Sequence, residues 1–200
     1  MLKSSFYINV REAGVDEAGR GSLAGPVVAA AVILPKRFRH PVLDDSKKLT
    51  ARQRAGVRED ILKSAISWGI AFVPNEAIDE MNILRATWKA MHEALSKLDP
   101  QPGFIIVDGN RFLPYGKIPY RAVVGGDGLY AHIAAASVLA KTARDEYMIK
   151  IDEEHPQYGW NRNMGYPTAE HRRAIERYGI TPYHRRSFTL TDSQLSLSFR

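Results

Sequence analysis

The sequence predicts an α/β fold: a five-stranded mixed sheet flanked by helices, with a helical C-terminal region. Three observations carry that expectation. Five short apolar runs rich in β-branched residues are mostly bounded by turn residues, stretches with helical spacing or cap residues fall between the later runs, and the C-terminal part is rich in helical signals.

The first run leads through Gly14-Val15-Asp16-Glu17 and breaks in the turn Gly19-Arg20-Gly21. The second, 27–34, belongs to the longest apolar stretch, 23–35, which contains Gly25 and Pro26 and is too short to cross a bilayer as a helix. Thr50 and Gln53 form a capping box for a helix reaching about Ser64, and a third strand is expected over 65–73. Asn82 can cap a helix in which Leu84, Trp88, Met91, Leu95 and Leu98 recur at helical spacing, a stripe that reads as core. Runs 104–107 and 118–124 complete the sheet. A long helix over 130–154 carries Ala134, Ala135 and Ala136 for close packing, and another opens at Pro167 and Thr168 and stops near Gly179. With no linker and no repeat, residues 1–200 are expected to form one domain, its helical C-terminal part starting near 155 and its tail near 189.

Composition narrows the chemistry. A chain of 200 residues, 44% hydrophobic and 25% charged, has the make-up of a globular protein. Without a single cysteine, disulfides, thiolate nucleophiles and cysteine-ligated zinc are excluded, so any metal must bind oxygen or histidine. The formal charge of +6 favours a polyanionic partner. Residues 1–10 lack the apolar core and cleavage site of a secretory signal, which points to the cytoplasm, and a monomer would suffice for the chemistry below.

Asp16 and Glu17 are the first candidates for that chemistry. Neighbouring strand residues face opposite sides of a sheet, so both can serve one site only if the strand ends or bulges there. Asp108 ends the run 104–107 at the carboxyl edge of a strand, where ligand sites gather, and Asp127 lies between Gly126 and Gly128 ahead of the alanine-rich helix. Four converging carboxylates would repel one another unless divalent ions neutralise them, and an all-oxygen set suits Mg2+ or Mn2+. Such ions can activate water and stabilise the leaving oxygen of a phosphodiester. Read individually, Asp108 and Asp127 are also ordinary Asp-Gly turn residues. Asp44 and Asp45, followed by Ser46, Lys47 and Lys48, read as a charged loop before the Thr50 helix.

Taken together, Asp16-Glu17-Ala18-Gly19-Arg20-Gly21, Asp45-Ser46-Lys47-Lys48-Leu49-Thr50, Val107-Asp108-Gly109, Gly126-Asp127 and Ala134-Ala135-Ala136-Ser137 resemble the bacterial ribonuclease HII family. Gly165-Tyr166-Pro167-Thr168 and His184-Arg185-Arg186-Ser187-Phe188 extend the likeness to about residues 12–190. The resemblance implies a ribonuclease H-like fold and metal-dependent cleavage 5′ of a ribonucleotide embedded in duplex DNA, leaving 3′-hydroxyl and 5′-phosphate ends, with activity on RNA–DNA hybrids. It implies that Asp16, Glu17, Asp108 and Asp127 hold the catalytic metal ions. Gly19, Arg20 and Gly21 would read the ribose 2′-hydroxyl through their backbone, and Tyr166 would pack on the neighbouring deoxyribose. By the same resemblance Ser46 and Lys47 contact phosphates, while His184, Arg185 and Arg186 either contact the nucleic-acid backbone or support the C-terminal helices. A solvated basic face is the plain alternative for that last cluster.

The chain departs from the family pattern where lysine, serine and lysine are common: it has Gly125, His132 and Met164. Lost lysines weaken phosphate contacts without touching the carboxylates. His132 reads as structural and is not placed among the ligands. The end of the chain, with Gln194, Leu195, Leu197 and Phe199, resembles the short peptide that replication and repair proteins insert into the bacterial sliding clamp, or else an ordinary terminal segment. A ribonuclease HIII-like hybrid nuclease and a non-catalytic nucleic-acid-binding relative are the rival readings. Gly19-Arg20-Gly21 argues against the first, and the four retained acids against the second.

Overall fold

The computed structural model describes residues 2–7, 9–36, 38–43 and 50–191. Five strands, β1 (Glu12–Ala18), β2 (Val27–Ile33), β3 (Ser67–Val73), β4 (Phe104–Asp108) and β5 (Tyr120–Val123), form one sheet in the order β3-β2-β1-β4-β5. β1, β2 and β3 pair antiparallel, whereas β1–β4 and β4–β5 pair parallel, which gives the expected mixed sheet. The helices are α1 (Ala51–Ser64), α2 (Asn75–Met81), α3 (Ile83–Ser96), α4 (Ala131–Glu154), α5 (Trp160–Asn163) and α6 (Ala169–Tyr178).

β2 has no face toward water, because helices cover both sides of the sheet. Ala29, Ala31 and Ile33 pack with Ala90, Met91, Ala94 and Leu95 of α3, and the intervening Ala30, Val32 and Leu34 pack with Val57 and Ile61 of α1 and Ala134, Ala135, Val138 and Leu139 of α4. Small residues set the spacing of these layers. A Cβ on Gly14 would overlap the main-chain carbonyl of His132, so α4 lies directly on β1. Forcing a methyl group into that contact would cost about 1–3 kcal/mol through overpacking.

Local signals place the helix starts as expected. The Thr50 hydroxyl accepts from Gln53 N at 3.2 Å while Gln53 Oε1 accepts from Thr50 N at 2.9 Å. Asn82 Oδ1 accepts from Leu84 N and Arg85 N at 3.0 and 3.2 Å, and Thr168 Oγ1 accepts from His171 N at 3.2 Å. Helices α2 and α5 were not anticipated, since seven and four residues are too few to show an apolar period. After α4, a separate apolar cluster gathers Met148 and Ile151 with Tyr158, Trp160, Ala174, Ile175 and Leu190, and it mounts α5 and α6 beside the end of β1. Among the described residues no helix is long and apolar enough to cross a membrane.

Candidate active site

β1 runs in regular register through the acidic pair, with Asp16 opposite Ala30 and Glu17 opposite Ala29. Ala30 belongs to the α4 side of the core and Ala29 to the α3 side, so the two carboxylates leave opposite faces of the sheet. No bulge turns them together. What unites them is the sheet's edge: β4 ends at Asp108, one residue beyond the Val15–Val107 pair, and β1 ends at Ala18. Around that edge Asp16, Glu17, Asp108 and Asp127 line one cavity of about 190 Å³, together with Ala18, Ser137, Lys141 and Tyr166. Asp127 reaches it from a short 3-10 turn, Gly126–Gly128, that Gly125 enters in the left-handed conformation with φ of 66°.

Local donors fix three of the carboxylates. Asp16 Oδ1 accepts from Glu17 N at 2.7 Å, Asp108 Oδ1 accepts from Gly126 N at 2.7 Å, and Glu17 Oε1 pairs with Arg20 Nη1 at 3.3 Å. The Asp108 bond also ties the β4 end to the turn that carries Asp127. Burial, with Glu17 and Asp108 nearby, raises the Asp16 carboxyl well above the usual range against the opposing Ser137 hydroxyl. Burial raises Glu17 as well, with Arg20 opposing and Asp108 adding to the rise. Among the described residues no three such groups already close on one point tightly enough to hold an ion. The carboxylates instead form the wall of a cavity whose charges repel, an arrangement that a hard divalent cation relieves.

Beside the acids, two arginines organise the neighbouring loops. Arg144 of α4 is 1% exposed and donates from Nε to Pro26 O at 3.0 Å, from Nη1 to Met164 O at 2.9 Å and from Nη2 to Ala24 O at 3.0 Å. The ring of Tyr166 lies over its guanidinium, 5.5 Å from the ring centroid. Arg185 donates from Nε to Gly25 O at 3.0 Å and from Nη1 to Arg20 O at 2.9 Å. Burial, with Arg144 beside it, lowers Arg185 to about 9.

Arg185 is thus corrected from a substrate contact to an internal one: it is 0% exposed and donates from Nε and Nη1 to loop carbonyls, while its buried Nη2 has no hydrogen-bond partner among the described residues. His184 is buried too, so the cluster is no solvated basic face, and only Arg186 of the three is exposed. The reading of this cluster as support for the C-terminal part fits His184 and Arg185. Ser46 and Lys47, and the tail residues Gln194, Leu195, Leu197 and Phe199, lie outside the described residues. Gly19 sits against Arg144, Arg20 and Gly21 are exposed, and Tyr166 is 36% exposed at the cavity. His132 is buried and accepts from Leu34 N at 3.4 Å, and burial lowers it to about 4, which fits its structural reading. Met164, half-buried, packs on the C-terminal apolar cluster.

Ser137, read only as part of a motif, and Lys141 and Arg144 carry no site role in the sequence pattern. Their spacing, four and then three residues, puts them on one face of α4, and polar residues recurring on the buried side of an alanine-rich helix were the available signal.

The model of the family described as Ribonuclease HII matches residues 13–191. The chain belongs to the ribonuclease HII family. Ribonuclease HII from Bacteroides thetaiotaomicron is 56% identical over 196 residues, covering 96% of this chain and 98% of that protein. The crystal structure of ribonuclease H2 from Pyrococcus horikoshii OT3 superposes with a TM-score of 0.76 at 25% identity, covering 94% of this chain and 99% of the other. A PCNA:RNase HII complex from Archaeoglobus fulgidus gives 0.76 at 24% identity, over 91% and 96% of the two chains. Bst ribonuclease HIII in complex with Mn2+ shares the fold with a TM-score of 0.70 at 16% identity, covering 94% of this chain and 70% of that one. The protein is a ribonuclease HII endoribonuclease, and enzymes of this kind depend on divalent metal.

Proposed function

We propose that Asp16, Glu17, Asp108 and Asp127 hold Mg2+ or Mn2+, and that this ribonuclease HII cuts 5′ of a ribonucleotide in duplex DNA and in RNA–DNA hybrids. The products are a 3′-hydroxyl and a 5′-phosphate. One observation carries the reading: four acids from β1, β4 and the 3-10 turn line one cavity at the sheet's edge. Their all-oxygen donor set and the raised Asp16 and Glu17 carboxyls fit a hard divalent cation. Such an ion, when bound, activates the attacking water and offsets charge on the leaving oxygen.

The remaining work falls to the chain. Asp108, bonded to Gly126 N, keeps two walls of the cavity in register. Lys141 brings a cation to the cavity, where it can meet a phosphate, and Ser137 steadies Asp16. The Gly19-Arg20-Gly21 loop, in which Arg20 and Gly21 are exposed, presents its backbone to the ribose 2′-hydroxyl, the group that distinguishes RNA from DNA. Tyr166, on the same cavity, covers the adjoining deoxyribose. Arg186, exposed, contributes to the basic surface that meets the phosphate backbone.

The test offers a DNA duplex with one ribonucleotide, in Mg2+, Mn2+ or chelator, beside an RNA–DNA hybrid. Metal-dependent scission 5′ of the ribonucleotide is expected, and Asp108→Asn is expected to lower kcat by about three orders of magnitude or more while leaving duplex binding intact. Turnover retained by Asp108→Asn would remove that residue from the set.

For the tail we propose docking to a sliding clamp through Gln194, Leu195, Leu197 and Phe199. Its support is the peptide-like spacing of these residues and the Archaeoglobus relative solved with PCNA. Deleting 192–200 is expected to abolish clamp binding in calorimetry with cleavage of clamp-free duplex unchanged. Undiminished clamp binding would refute this role.

A further inference from the structure

The two halves of the proposed substrate reader, the Gly19-Arg20-Gly21 loop and Tyr166, are far apart in sequence. They meet on one buried side chain. Arg144 donates to Ala24 and Pro26 at the end of the loop and to Met164 in the turn that carries Tyr166, and the Tyr166 ring covers its guanidinium. Gly19, with φ of 88°, lies so close that a Cβ there would overlap Arg144 Nε. The turn and the loop also join directly, Leu23 N donating to Gly165 O at 2.7 Å.

Arg185 holds the loop from behind. In a trans peptide the carbonyl of one residue and the N–H of the next point in opposite directions. Arg185 draws the Arg20 carbonyl inward at 2.9 Å, so the Gly21 N–H of the same peptide points the opposite way. Both guanidiniums are answered chiefly by main-chain carbonyls. A buried charge is costly compared with an apolar side chain of similar volume, so stability alone is a poor account of two of them behind one loop. A planar fork with several fixed donors, by contrast, can hold two segments in a single relative geometry.

We infer that Arg144 is a positioning residue for ribonucleotide recognition: it sets the distance between the 2′-hydroxyl-reading loop and the Tyr166 ring, and so the enzyme's preference for a ribonucleotide–deoxyribonucleotide junction. Arg185 positions the loop alone. The inference rests on the reading of that loop and Tyr166 as the substrate reader. A continuous RNA strand offers no junction for Tyr166 to read, so Arg144 governs the ratio of activities on the two substrates. Arg185 governs both activities together.

The experiment measures kcat and KM for Arg144→Lys, Arg185→Lys and Tyr166→Ala on a DNA duplex with one ribonucleotide and on an RNA–DNA hybrid, in Mg2+, with folding followed by circular dichroism. Arg144→Lys is expected to lower kcat/KM on the single-ribonucleotide duplex at least about tenfold more than on the hybrid, because misplacement of about 1 Å is enough for such a loss. Arg185→Lys is expected to lower both equally. If Tyr166→Ala shifts the ratio while Arg144→Lys does not, the positioning role is overturned and the substrate reader stands. If Tyr166→Ala leaves the ratio unchanged, the reader itself fails, and the inference with it. Should Arg144→Lys not fold, Arg144→Gln, which keeps two N–H donors without the charge, carries the same comparison. Failure of both to fold would assign Arg144 to the fold and overturn the proposal.

Discussion

Asp16 occupies a position that costs stability in the absence of a cation. It is 5% exposed, close to Glu17 and Asp108, and its carboxyl is raised chiefly by burial. A group whose folded pKa lies above its unfolded value destabilises the folded chain at neutral pH, where the unfolded chain ionises it freely. Asp16→Asn removes that charge with little change in shape. In chelator, the variant is therefore expected to melt higher than the parent, by roughly 2–4 °C for each kcal/mol relieved, while losing cleavage. An unchanged or lower melting temperature in scanning calorimetry would contradict the electrostatic account of the cavity. The acids themselves were legible in the sequence because Asp-Glu, Val-Asp-Gly and Gly-Asp-Gly punctuate apolar runs. Arg185 was not: an arginine in a His-Arg-Arg run looks solvated, and only the fold reveals the loop carbonyls that surround it.

At the scale of elements, α6 is fastened by a pair of buried imidazoles. His171 Nδ1 faces the Tyr166 carbonyl at 3.0 Å and must donate, which leaves Nε2 to accept from Trp160 Nε1 at 2.9 Å and from His184 Nε2 at 3.2 Å. His184 Nδ1 then accepts from Thr181 N at 2.9 Å and from its hydroxyl at 3.0 Å. Only neutral rings satisfy every contact. Burial lowers His171, and burial with His171 and His155 nearby lowers His184 to about 3. The unfolded chain takes up protons below its ordinary imidazole pKa near 6.5 and the folded chain does not, so stability is full above that value and falls as the pH drops below it. Both histidines are expected to contribute to that loss, and His184, lowered to about 3, by up to about 1.4 kcal/mol per pH unit well below 6.5. Urea midpoints from pH 7 to pH 5, with imidazole NMR shifts, check this. Rings that titrate near 6.5 in the folded protein would refute it. Caps at Thr50, Asn82 and Thr168 were readable because a cap is a local hydrogen bond. The fastening of α6 was not, since it joins residues 160, 171, 181 and 184 through tertiary packing.

The whole molecule sets an acidic cavity into a chain of net charge +6. Long-range attraction brings a polyanion to the surface, while the local field at the sheet's edge favours divalent cations beside it. Sheet topology decides where this happens: antiparallel β1–β2 and parallel β1–β4 end side by side, so residues 16, 17 and 108 flank one edge and α4 supplies Ser137 and Lys141 to the same cavity. The strand runs and long helices were evident from periodicity. That the acidic pair straddles the sheet, without a bulge, required the register. The most direct measurement is a crystal of the enzyme soaked in Mn2+, with data collected for anomalous scattering. The account predicts manganese peaks about 2.0–2.2 Å from carboxylate oxygens of Asp16, Glu17, Asp108 and Asp127. Peaks confined to other surfaces, with these four side chains unligated, would contradict it.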